Sequence, residues 1–503
     1  MATQAWLRFC RVAEDRGSAP ALVAGQEVLS FSGLYTAACG WADLLALEPG
    51  ERVVISGVNS FAFASAVPGI WARGGIPVFV HRDAPASHLA HACQLTGAVR
   101  VLAEPERAGL PCIDAEVVPL VLPEGGQPPS PPPLQSGAEP ASIVFTSGST
   151  GLPKGVTQSA ATLIDGAIRV ASVLNFRQGD RILCPIPFSF DYGWGQLLST
   201  LVCGFTLVLP EPQNSFGLCD ALARWSPQVL AGVPALFADL VAGLAPIREA
   251  PRQSVRLITS TGSKIPAPVF SALLELFPDA SIALNYGLTE TYRSASLPTA
   301  LARSHPTSVG HPMPGVDLAV IREDGTRTAP GEQGEIIHRG AGVFLGYWGD
   351  AVRTAQTLRP DPLWPHSHIR QPLVVYTGDL GHTDDEGLLY VHGRRDRQMK
   401  SMGMRVSPDE IEAILVDHEL VAEAAVVARP HDTLGDLIVA LIVPKSHLVD
   451  AAHTLKVLKG YARSTMSPAM QPRDWRILET LPRMPSRKVD YPSLVRLVRG
   501  ADS

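Results

Sequence analysis

A chain of 503 residues is too long for a single core, so two or more domains are expected. A hydrophobic share of 46% and a charged share of 18% describe an ordinary globular protein, and a net charge of −6 argues against nucleic acid as the main partner, because such binding rests on neutralising phosphates. No stretch reaches the length of about eighteen apolar residues that suggests a membrane span, the first residues lack an apolar signal core, and the seven cysteines include no CxxC pair, so free thiols in a reducing cytoplasm are expected.

Residues 31–47 carry apolar side chains at helical spacing and predict a helix; 51–56 are β-branched and predict a strand. A helix follows over 61–72, weakened by Pro68, then a strand over 76–80, and the alternation continues through 98–102. Such alternation signals a layered α/β fold with parallel strands. Residues 123–140 are rich in proline, glycine and serine and can form neither a helix nor an interior strand. They predict an exposed connection, with an interdomain linker as the alternative. A strand over 141–145 leads into residues 146–155. Beyond lie a helix over 160–174, a strand over 181–187, the segment FSFDYGW at 188–194 and a helix over 196–202. Further strands are expected at 228–233, 256–260 and 282–285, the last running into YGLTE at 286–290. From Ser308, turn signals and short alternating runs predict a β-rich subdomain, closed by YTGD at 376–379 and a hairpin over 382–392 around Glu386-Gly387. Residues 393–406 are basic and poorly periodic. Helix 408–416, strands 421–429 and 436–443, and helix 455–463 then make a small α+β domain.

Residues 146–155 read TSGSTGLPKG, with three glycines, two serines, two threonines and a lysine. Glycine lets the backbone bend sharply and approach a ligand, and successive N–H groups make a concave anion site. By composition this is a polyphosphate cradle, though not a Walker loop, since Pro153 precedes Lys154 and Gly155 follows it. A flexible surface turn is the bland alternative for such a loop alone.

The loop, followed in order by YGLTE, YTGD, GRRD and the stretch LPRMPSRK at 481–488, resembles the AMP-forming adenylating enzymes, a superfamily that includes acyl- and aryl-CoA synthetases, peptide-synthetase adenylation domains and luciferase. The resemblance covers nearly the whole chain. It implies a large N-terminal domain of layered α/β subdomains with a β-rich subdomain over 1–394, a hinge over 395–398 centred on Asp396, and a mobile α+β domain over 399–503. It also implies two half-reactions: a carboxylate attacks the α-phosphate of ATP to give an acyl-adenylate and pyrophosphate, and a thiol then displaces AMP. Thr146, Ser147, Gly148, Ser149, Thr150, Gly151 and Lys154 would hold the phosphates, Glu290 the Mg²⁺ ion, and Thr289 the α-phosphate. Tyr286 would stack on adenine with Gly262 on the other side, and Asn285 and Gly287 belong to the same pocket. Asp379 would take the ribose hydroxyls and Arg394 the ribose and phosphates. Lys488 would bridge the substrate carboxylate and the α-phosphate, although Arg487 stands where the superfamily pattern has glycine. In a second pose Lys400, Gly403 and Arg405 would line the thiol channel. A first-turn glutamate, a turn aspartate and a solvated lysine are the structural alternatives for Glu290, Asp379 and Lys488.

The acid pocket is expected to use Phe190, Asp191, Ser260, Thr261, Gly287, Leu288 and Arg293. Asp191 occupies the place where amino-acid-activating members carry an aspartate for the substrate ammonium. A buried aspartate and arginine are costly unless paired. Either both bind a small β-amino or aspartate-like acid, or they pair with each other and the pocket takes an uncharged acyl group. The first reading implies loading onto the pantetheine arm of a separate carrier protein, the second an acyl- or aryl-CoA ligase using coenzyme A; an inactive nucleotide-binding module is a more distant alternative. No membrane partner is expected.

Overall fold

A strand buried on both faces reads as an unbroken apolar run, and Arg52–Ser56 is one: Val53, Val54 and Ile55 have no exposed surface. The structure is a computed structural model and describes residues 3–107, 115–128, 137–146, 152–243, 245–298, 300–364, 371–401, 404–431, 435–445, 451–484 and 487–499. Two compact units divide the chain. One comprises Met1–Lys264, Ala272–Ala319 and Ile337–Tyr376; the other comprises Ile265–Ser271, Val320–Ile336 and Thr377–Ser503. Among the described residues no helix is long and apolar enough to cross a membrane.

The first unit holds two large sheets. Arg52–Ser56 lies inside a seven-stranded sheet ordered Gly346–Tyr347, Lys154–Ser159, Pro140–Thr146, Ile76–Phe79, Arg52–Ser56, Arg100–Ala103, Glu116–Pro119. The five strands from Pro140–Thr146 onward are parallel, and the other two add antiparallel. A nine-stranded sheet runs parallel from Pro20–Ala24 through Thr206–Leu209, Arg181–Leu183, Val229–Gly232 and Leu257–Ser260 to Ser281–Tyr286, with antiparallel strands at its edges. The parallel α/β body expected from the alternation is therefore present.

Helix Phe61–Ala72 starts at Ser60, whose side chain accepts from the Phe63 N–H, and runs on through Pro68. Every residue from Ala62 to Ala72 is buried, so packing outweighs the lost N–H. Gly69 lets helix Phe31–Leu45 come close: a Cβ there would lie 2.5 Å from Trp41 Cβ.

Helix Asp191–Cys203 begins at Asp191, not at residue 196 as the sequence suggested. Gly193 explains both facts. Glycine is a poor helix former and hides the turn from a periodicity argument, yet a Cβ at this position would meet Pro187 O at 2.1 Å. Aromatic contacts fix the segment from both sides: Phe63 to Phe188 at 5.4 Å, Phe79 to Trp194 at 4.8 Å and Trp71 to Trp194 at 5.8 Å between ring centroids. Full burial of each such ring contributes roughly 2–3 kcal/mol.

In the second unit, period-two alternation places two cores on opposite faces of the paired strands Val421–His431 and Gly435–Pro444. Val426, Ile438, Ala440 and Ile442 pack with Ile411 and Leu415 of helix Pro408–Val416 and Leu458 of helix Ala451–Thr465. Ala425, Val439, Leu441 and Val443 pack with Leu494 and Val498 of helix Tyr491–Arg499, which the sequence reading missed together with strand Asp474–Ile477. Short strands Met399–Ser401 and Met404–Val406 pair within the stretch read as poorly periodic.

A half-buried ion cluster sits at the start of this core. Arg397 pairs with Asp409 and, at 2.8 Å, with Glu412; its guanidinium carbon lies 3.6 Å from the centroid of the Tyr491 ring. Glu412 also accepts from Tyr491 Oη at 2.9 Å and from the Val426 N–H at 2.8 Å. Burial pushes the Glu412 carboxyl up to about 7 although Arg397 opposes the rise. Gly393 lies against the same carboxylate cluster, since a Cβ there would fall 1.8 Å from Asp409 Oδ2.

Candidate active site

Antiparallel pairing of Pro140–Thr146 with Lys154–Ser159 sets Thr146 opposite Lys154. Ser147, Gly148, Ser149, Thr150 and Gly151 lie outside the described residues; the two ends of the loop do not. The Thr146 hydroxyl is buried and has no partner among the described residues. Lys154 Nζ donates to Glu290 Oε1 at 2.6 Å and to Tyr347 Oη at 2.8 Å, and Tyr347 Oη donates to the same Glu290 oxygen at 2.7 Å. The ammonium also lies 4.4 Å from the centroid of the Tyr347 ring.

Tyr347 reaches this position because its two-residue strand pairs with Lys154–Ser159, Tyr347 opposite Val156. It was not legible as a site residue, being 193 positions from Lys154 with no motif around it. Burial acts to raise the Glu290 carboxyl, but the Lys154 charge and the two hydrogen bonds outweigh it and hold the group below its ordinary range. Both side-chain bonds fall on Oε1, so Oε2 has no side-chain partner among the described residues.

The segment 285–294 is braced throughout. Asn285 Nδ2 donates to Thr259 Oγ1 at 2.8 Å and to Ser260 O at 3.1 Å, while its Oδ1 accepts from Ser296 Oγ at 3.0 Å. The Asn285 amide thus ties neighbouring strands together. Thr261 Oγ1 donates to Asn285 O, and Gln158 Nε2 donates to Thr289 O at 2.8 Å. Phe344 N donates to Glu290 O at 3.0 Å. Gly262 has φ +97°, a conformation that favours glycine. Tyr286 is buried.

Under the turn after Glu290 lies His338, fully buried. Its Nε2 lies 2.7 Å from Ala341 O, an acceptor, so Nε2 carries the proton and Nδ1 accepts from Ser294 Oγ at 3.0 Å. Ser294 in turn contacts Thr291 Oγ1 at 2.9 Å, and Thr291 accepts from the Leu288 N–H at 3.0 Å. Burial pushes His338 down to about 4, so it stays neutral here. The folded value lies below the unfolded value of about 6.5, so the stability it confers is whole above that pH and is lost as pH falls toward 4. Between pH 7 and pH 4.5 the loss should be roughly 2–3 kcal/mol at ~1.4 kcal/mol per pH unit. Urea unfolding of His338→Gln should show a slope over that window shallower than the wild type by this amount; equal slopes would assign the acid sensitivity to other groups.

A pocket is lined by Gln158, Asp191, Tyr192, Trp194, Gly195, Thr261, Gly287, Tyr292 and Arg293. Four of the expected acid-pocket residues are therefore brought together: Asp191, Thr261, Gly287 and Arg293. Ser260, Phe190 and Leu288 are not among its walls. Phe190 stacks on His81, centroids 4.8 Å apart, and the buried Ser260 hydroxyl has no partner among the described residues. Arg293 is buried, its Nε lacks a hydrogen bond among the described residues, and its guanidinium carbon lies 5.2 Å from the centroid of the Tyr192 ring. No ion pair joins Arg293 to Asp191, or either to any other described residue.

The second unit holds the remaining expected residues. Asp379 and Arg394 face each other across paired strands, with Arg394 Nη1 3.2 Å from Asp379 Oδ1 and 2.7 Å from Thr377 O, and Arg394 Nε 3.2 Å from Asp396 Oδ1. The backbones of Lys400 and Arg405 pair, while Gly403 lies outside the described residues. Lys488 is exposed on a turn in which its carbonyl accepts from Met484 N at 2.8 Å. Arg487 there has φ +61°, the left-handed conformation that the superfamily's glycine would take without strain.

Residues 9–348 match the family model described as AMP-binding enzyme, and residues 410–488 match that of the AMP-binding enzyme C-terminal domain. The chain is 32% identical over 71% of its length to a delta-poly-L-ornithine synthetase of Acinetobacter baumannii (strain AB307-0294), of which it spans only 26%. It is 29% identical to a D-alanine–D-alanyl carrier protein ligase of Bacillus cereus (strain G9842), covering 74% of this chain and 73% of that one. An o-succinylbenzoate CoA synthetase of Bacillus subtilis, solved with its acyl-adenylate intermediate, superposes with a TM-score of 0.84 at 23% identity over 97% of each chain.

Proposed function

The chain belongs to the AMP-binding enzyme family, and from that membership we propose that it activates a small β-amino or aspartate-like acid and loads it onto the thiol of a separate carrier protein. As a member it is an adenylate-forming acid ligase that uses ATP and Mg²⁺. The observation that carries the finer reading is that Asp191 and Arg293 line one pocket with no ion-pair partner among the described residues. A buried cation without an anion costs several kcal/mol, and so a bound acid that brings its own carboxylate or polar group would relieve it. Asp191 supplies the complementary anion for an ammonium. The carrier ligase among the relatives supports the choice of thiol.

The residues present fit a magnesium nucleotide. Among the described residues the buried Thr146 hydroxyl has no partner, and Glu290 keeps one carboxylate oxygen clear of side chains. Mg²⁺ bound with one carboxylate and phosphates offsets the charge of the triphosphate. Thr289 and Glu290 are placed by Gln158 and Phe344, and Lys154 moves from the carboxylate to the phosphates as they arrive. Asp379 and Arg394 hold the ribose. Residues 1–394 carry the acid and nucleotide pockets, and residues 399–503 turn about Asp396. One pose brings Lys488 to the reacting carboxylate, where a compact ammonium steadies two approaching anions. The other brings Lys400, Gly403 and Arg405 to the thiol channel.

A second reading, an acyl- or aryl-CoA ligase for an uncharged acid, has one contact in its favour: the Tyr192 ring partly compensates the Arg293 charge. Exchange of label between pyrophosphate and ATP across a panel of acids separates the two. The expected result is strong exchange with a β-amino or aspartate-like acid, lost in Asp191→Ala; Arg293→Ala should lose it only for acids with a second carboxylate. A preferred acid without an amine would overturn the proposal.

A further inference from the structure

Tyr292 has a backbone that its side chain does not favour. Its φ is +58° and ψ −68°, and the Arg293 N–H donates across it to Thr291 O at 2.7 Å. This is a γ-turn of positive φ, a rare and strained geometry, and an aromatic residue in it is an outlier. Such conformations persist only where the surroundings over-determine them.

The surroundings here are two helices that thin out beneath the ring. In helix Ala160–Val173, a Cβ at Gly166 would lie 2.6 Å from Tyr292 Cδ1, 2.7 Å from Cε1 and 3.0 Å from Cγ. In helix Asp191–Cys203, a Cβ at Gly195 would lie 3.6 Å from the Tyr292 hydroxyl. Gly166 leaves room for the ring, while Gly195 borders its hydroxyl at ordinary contact distance and lines the acid pocket beside it. The ring therefore fills the gap between helices into which the pocket would otherwise extend. Its hydroxyl makes no hydrogen bond among the described residues, so its contribution is bulk.

We propose that Tyr292 is the stop that sets how long an acid this pocket accepts, restricting it to short acids, with the strained turn holding the ring in place and leading directly into Arg293. The assignment rests on the reading of this pocket as the acid site.

The test is pyrophosphate exchange with two matched series of acids of increasing length, one bearing a β-amine and one without. One methylene in an apolar pocket is worth roughly 10–200-fold in kcat/KM, so Tyr292→Gly should raise the ratio of long-acid to short-acid kcat/KM by at least about tenfold. Glycine takes this φ without strain, so the variant should fold, as checked by its melting temperature. Tyr292→Phe should keep the wild-type length ratio. Gly166→Ala, which crowds the ring toward the pocket, should shift the ratio toward shorter acids; it carries the test should Tyr292→Gly not fold. An unchanged ratio in a folded Tyr292→Gly, or no shift in Gly166→Ala, overturns the proposal. A length shift in both series upholds it even if the wild type shows no preference for the amine, an outcome that would sink the amino-acid reading alone.

Discussion

Lys488→Ala is expected to lower acid-dependent pyrophosphate exchange by roughly a hundred- to a thousand-fold, the usual consequence of removing one charge-stabilising group from a transition state. Thioester formation from supplied adenylate should be largely kept. The structure makes this a clean experiment. Lys488 is exposed, and its turn is closed by backbone bonds, Met484 N to Lys488 O and Arg487 N to Met484 O, both 2.8 Å. Truncating an exposed side chain there should change stability by no more than about 0.5 kcal/mol, so lost rate will not be lost fold. Equal loss of both half-reactions would argue against a domain that alternates between two poses.

Glu290→Gln should likewise cut exchange by about a hundred-fold or more, and here the effect should have a second face. The wild-type carboxylate holds Lys154 and Tyr347 on one oxygen. Neutralising it leaves the Lys154 ammonium, mostly covered, without an anion. The variant should need more Mg²⁺ for half-maximal exchange and should unfold at lower urea. Removing one member of a buried pair costs roughly 3–5 kcal/mol; with Lys154 partly exposed the low end is expected. Adding Lys154→Met should recover part of that stability without recovering exchange. A double variant no more stable than Glu290→Gln alone would show that the pair is not coupled.

The sequence was most informative where chemistry is local or periodicity is strong. Helix Pro408–Val416 and helix Phe61–Ala72 lie where their apolar spacing places them, the latter in spite of Pro68. Lys154 and Glu290, 136 residues apart, could be linked only through the family resemblance, and the structure sets their side chains in contact. Tyr347 could not be found, because a two-residue strand has no period and its partner is set by sheet pairing. Tyr292 and Gly166 carry no motif; their meaning lies in one ring filling the space that a glycine leaves. Gln158 is invisible for the same reason, its amide spent on a carbonyl that folding brings near. The start of helix Asp191–Cys203 was hidden by glycines that weaken helical spacing while permitting close approach to Pro187.

The grip of Arg397 on Asp409 and Glu412 limits where a swivel can occur. Arg397 is thereby tied to helix Pro408–Val416, so the proposed turn about Asp396 would fall to the few bonds just upstream. Asp409 touches both sides of that stretch, since its carboxylate fills the place a side chain at Gly393 would take. Were the chain to turn there as proposed, Asp409 would leave Gly393 while staying with Arg397, so this one carboxylate would work as a detent, and any bulk added at residue 393 would leave the joint without its resting notch.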